Sequence, residues 1–189
     1  MKKSLRQTAL ALRHQLSANA IKVGEESILA SVHTLLYSRA PCTVGLFYPT
    51  RGEPNLLKIC TFPSLASCAW SLPVCVDAAH GSVLQFAQYT QATPLCAGRY
   101  NIPVPAEPQW VQPSVVLIPC VAFHRGGARL GYGAGWYDKT LARLGNAVVT
   151  VGIALAQTEI MEPFAEPHDR LLDYIVTERE MIKVQPDLK

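Results

Sequence analysis

The apolar positions change period along the chain, and the change divides it. Leu5, Ala9, Leu12 and Leu16 recur at three- and four-residue intervals, which predicts an amphipathic helix over residues 3–16. Ser17 can cap a second helix running towards Tyr37, with Ile21, Ile28, Leu29, Val32, Leu35 and Leu36 along it, and Pro41 ends the helical region. Beyond that point the pattern turns from αα to βα. TVGLFY, residues 43–48, is a short β-prone run closed by Pro49 and Gly52, and a helix is expected over 54–60. Further strands are expected at 68–76, 82–89, 114–118, 147–154 and 174–177. Several are apolar on both faces, which suits a parallel sheet covered by helices on both sides, and so an α/β fold. Residues 91–112 hold Pro94, Pro103, Pro105, Pro108 and Gly98, too many interruptions for a regular element, so an ordered excursion from the sheet is expected there.

Composition supports a core large enough to fold without staples. Of 189 residues 49% are hydrophobic and 16% charged, against about 25% charged in a typical soluble domain. One domain spanning 1–189 is expected, with residues of about 1–38 as a helical segment packed on the α/β core. The formal charge of +3 is the difference between 17 basic and 14 acidic residues, too small to announce a nucleic-acid partner. Six cysteines without a C-x-x-C pair read as free thiols in a reducing cytoplasm. The N-terminal segment lacks a signal-peptide core, and no run approaches the ~20 apolar residues of a membrane span.

The positive excess is confined to one place: Lys2, Lys3, Arg6, Arg13 and Lys22 all precede the first acid, Glu25. At about 100° per residue, the apolar stripe of the first helix falls at about 120–180° and Lys2, Arg6 and Arg13 at about 200–240°. These cations flank the buried stripe, where they either lean over a neighbouring cleft or form a solvated face.

The strongest local pattern runs from Val115 to Leu144. Gly126, Gly127, Gly131, Gly133 and Gly135 fall within ten residues, after an apolar strand and before a helix-like stretch. Glycines let successive amides converge, and the following helix N-terminus adds partial positive charge, so the arrangement suits phosphate; a mobile turn is the alternative. It is neither a Walker loop nor a dinucleotide fingerprint, because no Gly-Lys-Ser/Thr follows and the last three glycines are spaced G-x-G-x-G. Asp138 beside such a cradle suits magnesium, or else it is a helix N-terminal acid. Asp169 and Glu53 are a turn acid and a loop acid when read alone.

KKSLR at 2–6, GLFYPTRGEPNLLKI after the first strand, YNIPVP at 100–105, RLGYGAGWYD at 129–138 and HDRLLDYIVTE near the end stand in an order that resembles the 5-formyltetrahydrofolate cyclo-ligase family. The resemblance covers almost the whole chain, and RLGYGAGWYD is its most specific part. It implies a three-layer α/β/α fold with an open, mostly parallel sheet. It also implies ATP- and Mg2+-dependent conversion of 5-formyltetrahydrofolate, polyglutamylated or not, to 5,10-methenyltetrahydrofolate, by a monomer that binds neither nucleic acid nor membrane. Lys2, Lys3 and Arg6 then match phosphate contacts. Arg129, Leu130, Gly131, Tyr132, Gly133, Ala134, Gly135, Trp136 and Tyr137 match the nucleotide loop, with Tyr132 to Trp136 also facing folate. Tyr48 and Glu53 match the folate pocket, and Asp138 and Asp169 the magnesium-associated acids. The chain departs from the family pattern at His124, where Asp is usual, at Cys120, where Gly is common, at Ala134, often Lys or Gly, and at Val104, often acidic or amide. These departures keep open a second reading, a folate- or nucleotide-binding relative with weak or lost turnover.

Overall fold

The computed structural model describes residues 2–77, 82–166 and 169–185. Helices α1 (Lys2–His14) and α2 (Ala18–Tyr37) are divided at Ser17, whose hydroxyl accepts from the Ala20 amide at 3.2 Å and satisfies a donor that the first turn leaves unpaired. Strand β1 (Thr43–Gly45) follows. The helix expected over 54–60 is instead a pair of 3-10 turns, Leu57–Thr61 and Pro63–Leu65. Pro63 lacks an N–H and disfavours α geometry at Phe62, so the turn cannot propagate.

The remaining elements are β2 (Ala69–Val76), β3 (Val83–Gln88), β4 (Leu95–Ala97), β5 (Pro103–Pro105), β6 (Trp110–Val111), β7 (Val115–Pro119), β8 (Ala122–Phe123), β9 (Arg129–Leu130), α3 (Trp136–Leu144), β10 (Val149–Ile153), β11 (Tyr174–Val176) and β12 (Met181–Lys183). Eight strands form one sheet in the order β12-β11-β10-β7-β1-β2-β3-β6. The five from β11 to β2 run parallel, and β12, β3 and β6 pair antiparallel at the two sides. The excursion at 91–112 is more regular than expected. It holds the β4–β5 hairpin and the edge strand β6. The hairpin tolerates its prolines because they flank Val104, which keeps an N–H for the pairing with Cys96.

Alternation along the central strands divides the core. Val115 and Leu117 of β7 join α2 residues Ile28, Val32 and Leu36 on one face, while Val116 and Ile118 join Leu141 of α3 on the other. This period of two produces the three-layer α/β/α arrangement. Full burial of each such side chain contributes about 1.5–3 kcal/mol. A third cluster sets α1 in place: Ala9, with Leu5 and Leu10 beside it, packs on Val121, Ala122, Ala128, Leu130 and Phe164. α1 therefore lies on the short β8–β9 hairpin, next to the glycine loop that leaves β9. Among the described residues, no helix is long and apolar enough to cross a membrane.

Candidate active site at the carboxyl ends of β1 and β7

The sheet places β2 on one side of β1 and β7 on the other. The chain thus turns in opposite directions after neighbouring parallel strands, and open α/β sheets bind ligands in the crevice beyond such a reversal. The segments that follow β1 and β7 carry the candidate site residues.

After β1, the chain turns back at Arg51 and Gly52, whose φ angles are 49° and 74°. The turn draws Glu53 inward until it is 7% exposed. Its Oε2 accepts from the Thr50 amide at 2.8 Å and from Thr50 Oγ1 at 3.2 Å. Burial pushes this carboxyl above its ordinary value, opposed by the Thr50 hydrogen bonds, the charge of Arg13 and a hydrogen bond from Tyr132.

Arg13 is 2% exposed. Its Nη2 donates to the Cys120 carbonyl at 2.7 Å and its Nη1 to Tyr132 Oη at 3.2 Å. The Tyr132 phenol is pushed up to about 12 by burial and by the Glu53 charge, with Arg13 opposing. Arg51 lies over the Tyr132 ring, 5.0 Å from its centroid. Tyr48 packs half-buried against the α2-side core.

On the other flank, α1 leans its cations over the glycine loop. Arg6 Nε donates to the Gly131 carbonyl at 2.6 Å, and its guanidinium sits 3.4 Å from where a Cβ on Gly133 would lie. Gly133 and Gly135 adopt φ of 98° and 68°, a region that L side chains avoid. Gly135 caps α3 without a side-chain hydrogen bond, which leaves the first-turn amides of α3 facing the loop. A Cβ at Gly131 or Gly135 would meet nothing within 4 Å. Lys3 and Ala134 are exposed.

Two acids border this loop, each held by a cation. Lys2 Nζ lies 2.8 Å from Asp169 Oδ2 and 3.1 Å from Glu166 Oε2. Burial lowers the Lys2 ammonium, but these two partners outweigh it and hold it above its usual value. Arg129, with its side chain 6% exposed, pairs with Asp138 and donates to the Arg170 carbonyl at 2.7 Å. Arg170 in turn closes the far end of α3, donating to the carbonyls of Leu141, Gly145 and Val148. Asp138 is thus tied to Arg129, whose other contact is the backbone of Arg170, the residue next to Asp169.

The residues present fit a magnesium–triphosphate group. The loop offers open space, first-turn amides and the Arg6 and Lys2 cations. Among the described residues no cluster of three or more His, Cys, Asp or Glu could hold a metal alone. Two carboxylates suit Mg2+, which takes one or two protein acids and completes its shell from substrate phosphates and water.

Not every residue of the RLGYGAGWYD segment offers its side chain. Leu130 is 2% exposed in the cluster under α1, and Tyr137 packs against the core beside Leu141, where burial pushes its phenol up. Trp136 faces the β4–β5 hairpin: its Nε1 donates to Tyr100 Oη at 3.3 Å and the Arg99 guanidinium lies 5.1 Å from its ring centroid. His124 has a local task, with Nδ1 accepting from the Gly126 amide at 3.0 Å inside the β8–β9 turn. An aspartate there could accept the same bond. Sequence reasoning did not place Arg51, Arg99 or Tyr100 at the site, and it left Arg13 as a helix-shoulder cation. Its angle, shared with Lys2 and Arg6, was the signal.

Comparison with known proteins gives the family. The 5-formyltetrahydrofolate cyclo-ligase family matches residues 1–178. A 5-formyltetrahydrofolate cyclo-ligase of Mycolicibacterium smegmatis is 29% identical over 189 residues, covering 95% of either chain. One of Haemophilus influenzae is 28% identical over 149 residues, covering 76% of this chain and 79% of its own. The solved structure of 5,10-methenyltetrahydrofolate synthetase from Aquifex aeolicus superposes with a TM-score of 0.76 at 25% identity, covering 97% of this chain and 93% of that one. A Mycoplasma pneumoniae structure, with a TM-score of 0.74 at 24% identity, covers 94% and 98% and shares the fold. On the extent of that family match, this chain belongs to the 5-formyltetrahydrofolate cyclo-ligase family.

Proposed function

We propose that this chain, 1–189 acting as one unit, closes 5-formyltetrahydrofolate to 5,10-methenyltetrahydrofolate with ATP as co-substrate, releasing ADP and phosphate. The observation that carries the reading is the convergence at the β1/β7 reversal of two unlike surfaces: a buried carboxylate with its arginine and tyrosine, and an open glycine loop under the cations of α1. The first suits a pterin, whose ring N–H and amino groups donate to a carboxylate such as Glu53. The second suits a triphosphate.

The chemistry requires activation, because a formamide oxygen is a poor leaving group. The formyl oxygen attacks the γ-phosphorus of ATP, forming a C–O–P link as the bond to ADP breaks. N10 then attacks the formyl carbon, the C–O bond breaks with phosphate leaving, and N10 loses its proton to give the cyclic cation. No protein nucleophile takes part, so the residues act by positioning and by balancing charge. Arg6, Lys2 and Arg129 stand where phosphoryl charge would gather. Asp138 and Asp169 would hold Mg2+, which would supply neutralisation of phosphoryl charge. Glu53 and Tyr132 orient the folate, and Trp136 with the β4–β5 hairpin screens the reacting atoms from water.

The reading extends to a monomeric cytoplasmic enzyme that takes folate with or without a polyglutamyl tail and engages no nucleic acid. All six cysteines are free thiols, which suits a reducing compartment. Purified protein mixed with MgATP and 5-formyltetrahydrofolate is expected to generate the near-ultraviolet absorbance of the methenyl product. Folate binding with no ATP-dependent product would overturn the catalytic reading.

A further inference from the structure

Arg13 is the one cation of the α1 shoulder that the phosphate reading leaves without a task. It is also the most deeply buried of them, at 2% exposed. Burying a guanidinium is costly unless its donors are matched, and here the match is incomplete. Two of its nitrogens reach Cys120 O and Tyr132 Oη, while Nε, fully buried, has no hydrogen-bond partner. Its aliphatic stem also fills the space beside Gly52, 3.5 Å from where a Cβ there would lie. A surface role would need none of this.

The arrangement has a direction. A phenol has a single proton, so a Tyr132 oxygen that accepts from Arg13 keeps that proton to donate, and the buried carboxylate of Glu53 stands in the turn that the Arg13 stem packs beside at Gly52. Arg13, Tyr132 and Glu53 form a relay across three segments far apart in sequence: α1, the glycine loop and the turn after β1. We propose that Arg13 is a positioning residue for the folate site, holding the Tyr132 phenol on Glu53 so that this carboxylate meets the substrate as an oriented anion. The inference rests on the folate reading of the site given above.

The charged and titratable groups that face Glu53 are Arg13 from α1, Tyr132 from the glycine loop, Tyr137 from α3 and Cys120 after β7. Arg13 is the one cation in this set, and both tyrosines and the thiol are neutral near pH 7. Replacing Arg13 therefore removes the charge that opposes desolvation of Glu53 while the Thr50 hydrogen bonds remain, and its titration moves to higher pH.

The test has two independent arms. In the first, no ligand is present: the Glu53 side-chain carboxyl is followed by 13C NMR against pH in wild type, Arg13→Gln, Arg13→Lys and Tyr132→Phe. Arg13→Gln is expected to raise the midpoint by about one pH unit or more, corresponding to loss of a charge-assisted contact, Tyr132→Phe by less, and Arg13→Lys least. In the second arm, KM for 5-formyltetrahydrofolate and for ATP, and the acid limb of the rate profile, are measured on the same proteins. Arg13→Gln is expected to raise the folate KM about tenfold, leave the ATP KM within about twofold and shift the acid limb upward with the NMR midpoint. A midpoint that does not move, or equal losses for both substrates with the limb unchanged, would overturn the proposal, because Arg13 would then be a structural cation only. If Arg13→Gln fails to fold, Arg13→Lys and Tyr132→Phe decide the same question. If the midpoint moves while wild type does not bind 5-formyltetrahydrofolate, the relay stands, the folate reading falls, and the role assigned to Arg13 falls with it.

Discussion

The two flanks of the site use charge in opposite ways. On the glycine-loop flank, Lys2 with Asp169 and Arg129 with Asp138 are pairs in which at least one member reaches solvent: the Lys2 and Asp138 side chains are 25% and 46% exposed. On the β1 flank, Glu53 and Arg13 are 7% and 2% exposed and act through hydrogen bonds to Thr50, Cys120 and Tyr132. A pair partly open to water, such as that of Lys2, contributes at most about 1 kcal/mol, so Lys2 can pass to a phosphate at little cost. Arg129, with its side chain 6% exposed, instead keeps the Arg170 carbonyl, and its partner Asp138 is the member that meets solvent. Buried groups such as Glu53 and Arg13 do not exchange partners so readily, because moving either one strands a desolvated charge. The first flank is built to trade partners and the second to keep them. Salt should therefore disturb nucleotide binding, and pH should disturb folate binding.

The largest effect is expected where the acid belongs to both substrate chemistry and a protein pair. Asp138→Ala should lower turnover by about 10^2–10^3, the range for losing one group that stabilises transition-state charge, while 5-formyltetrahydrofolate affinity from titration calorimetry changes little. Equal losses in turnover and folate binding would show that Asp138 serves only to anchor Arg129. Next come the exchangeable cations. Lys2→Ala and Arg6→Ala should each raise the ATP KM about tenfold, as expected for a charge-assisted contact. Adding salt should raise the wild-type ATP KM and leave the folate KM nearly flat. Parallel salt dependence for both substrates would erase the distinction between the flanks.

The glycine loop allows a finer comparison. Gly133→Ala forces a side chain into φ 98° against Arg6, and should cost about 1–2 kcal/mol in denaturant unfolding. A Cβ at Gly131 meets nothing within 4 Å. Gly131→Ala should therefore leave stability within about 0.5 kcal/mol and weaken ATP, whose phosphates would claim that open space. Unchanged ATP affinity in Gly131→Ala would reduce the loop to a turn.

The same contrast explains what could be read from the sequence. The glycine loop itself is written in one contiguous segment, 129–138, and its strand–loop–helix setting follows from local rules. Helix α1 was legible from its period, and the five parallel strands from apolar runs that, for the three-residue β1 and β11, extend past the paired residues, at 43–48 and 174–177. Strands β8, β9 and β12 were not, because they are two or three residues long and no separate apolar run of strand length extends them. The β4–β5 hairpin was hidden by prolines that its short pairing tolerates. The β1 flank depends on residues 13, 53, 120 and 132, which only the folded sheet brings together. Burial of Arg13 was the hardest feature to foresee, since helix geometry placed it on the same shoulder as Lys2 and Arg6, which stay partly exposed. What separates them is the Cys120 carbonyl at the end of β7.

The smallest expected effect is the most diagnostic of the β1 flank. Burial leaves the Glu53 carboxyl above its ordinary value even after the Thr50, Arg13 and Tyr132 contributions are included. The folded protein therefore holds a proton on Glu53 at pH values where the unfolded chain, with a carboxyl near about 4.3, has already released it. Stability then falls as pH rises from the unfolded value through the raised folded value, and is level above that window. A glutamine resembles the neutral acid and keeps an oxygen for the Thr50 amide. Glu53→Gln should melt close to wild type below the window and higher than wild type above it, with the gap opening between, while its folate affinity drops. Stability and binding then move in opposite directions at one residue, as expected where a buried charge is kept for function. A melting difference that is the same on both sides of the window would mean that Glu53 does not change protonation on folding, and the pH sensitivity assigned to this flank would have to come from elsewhere.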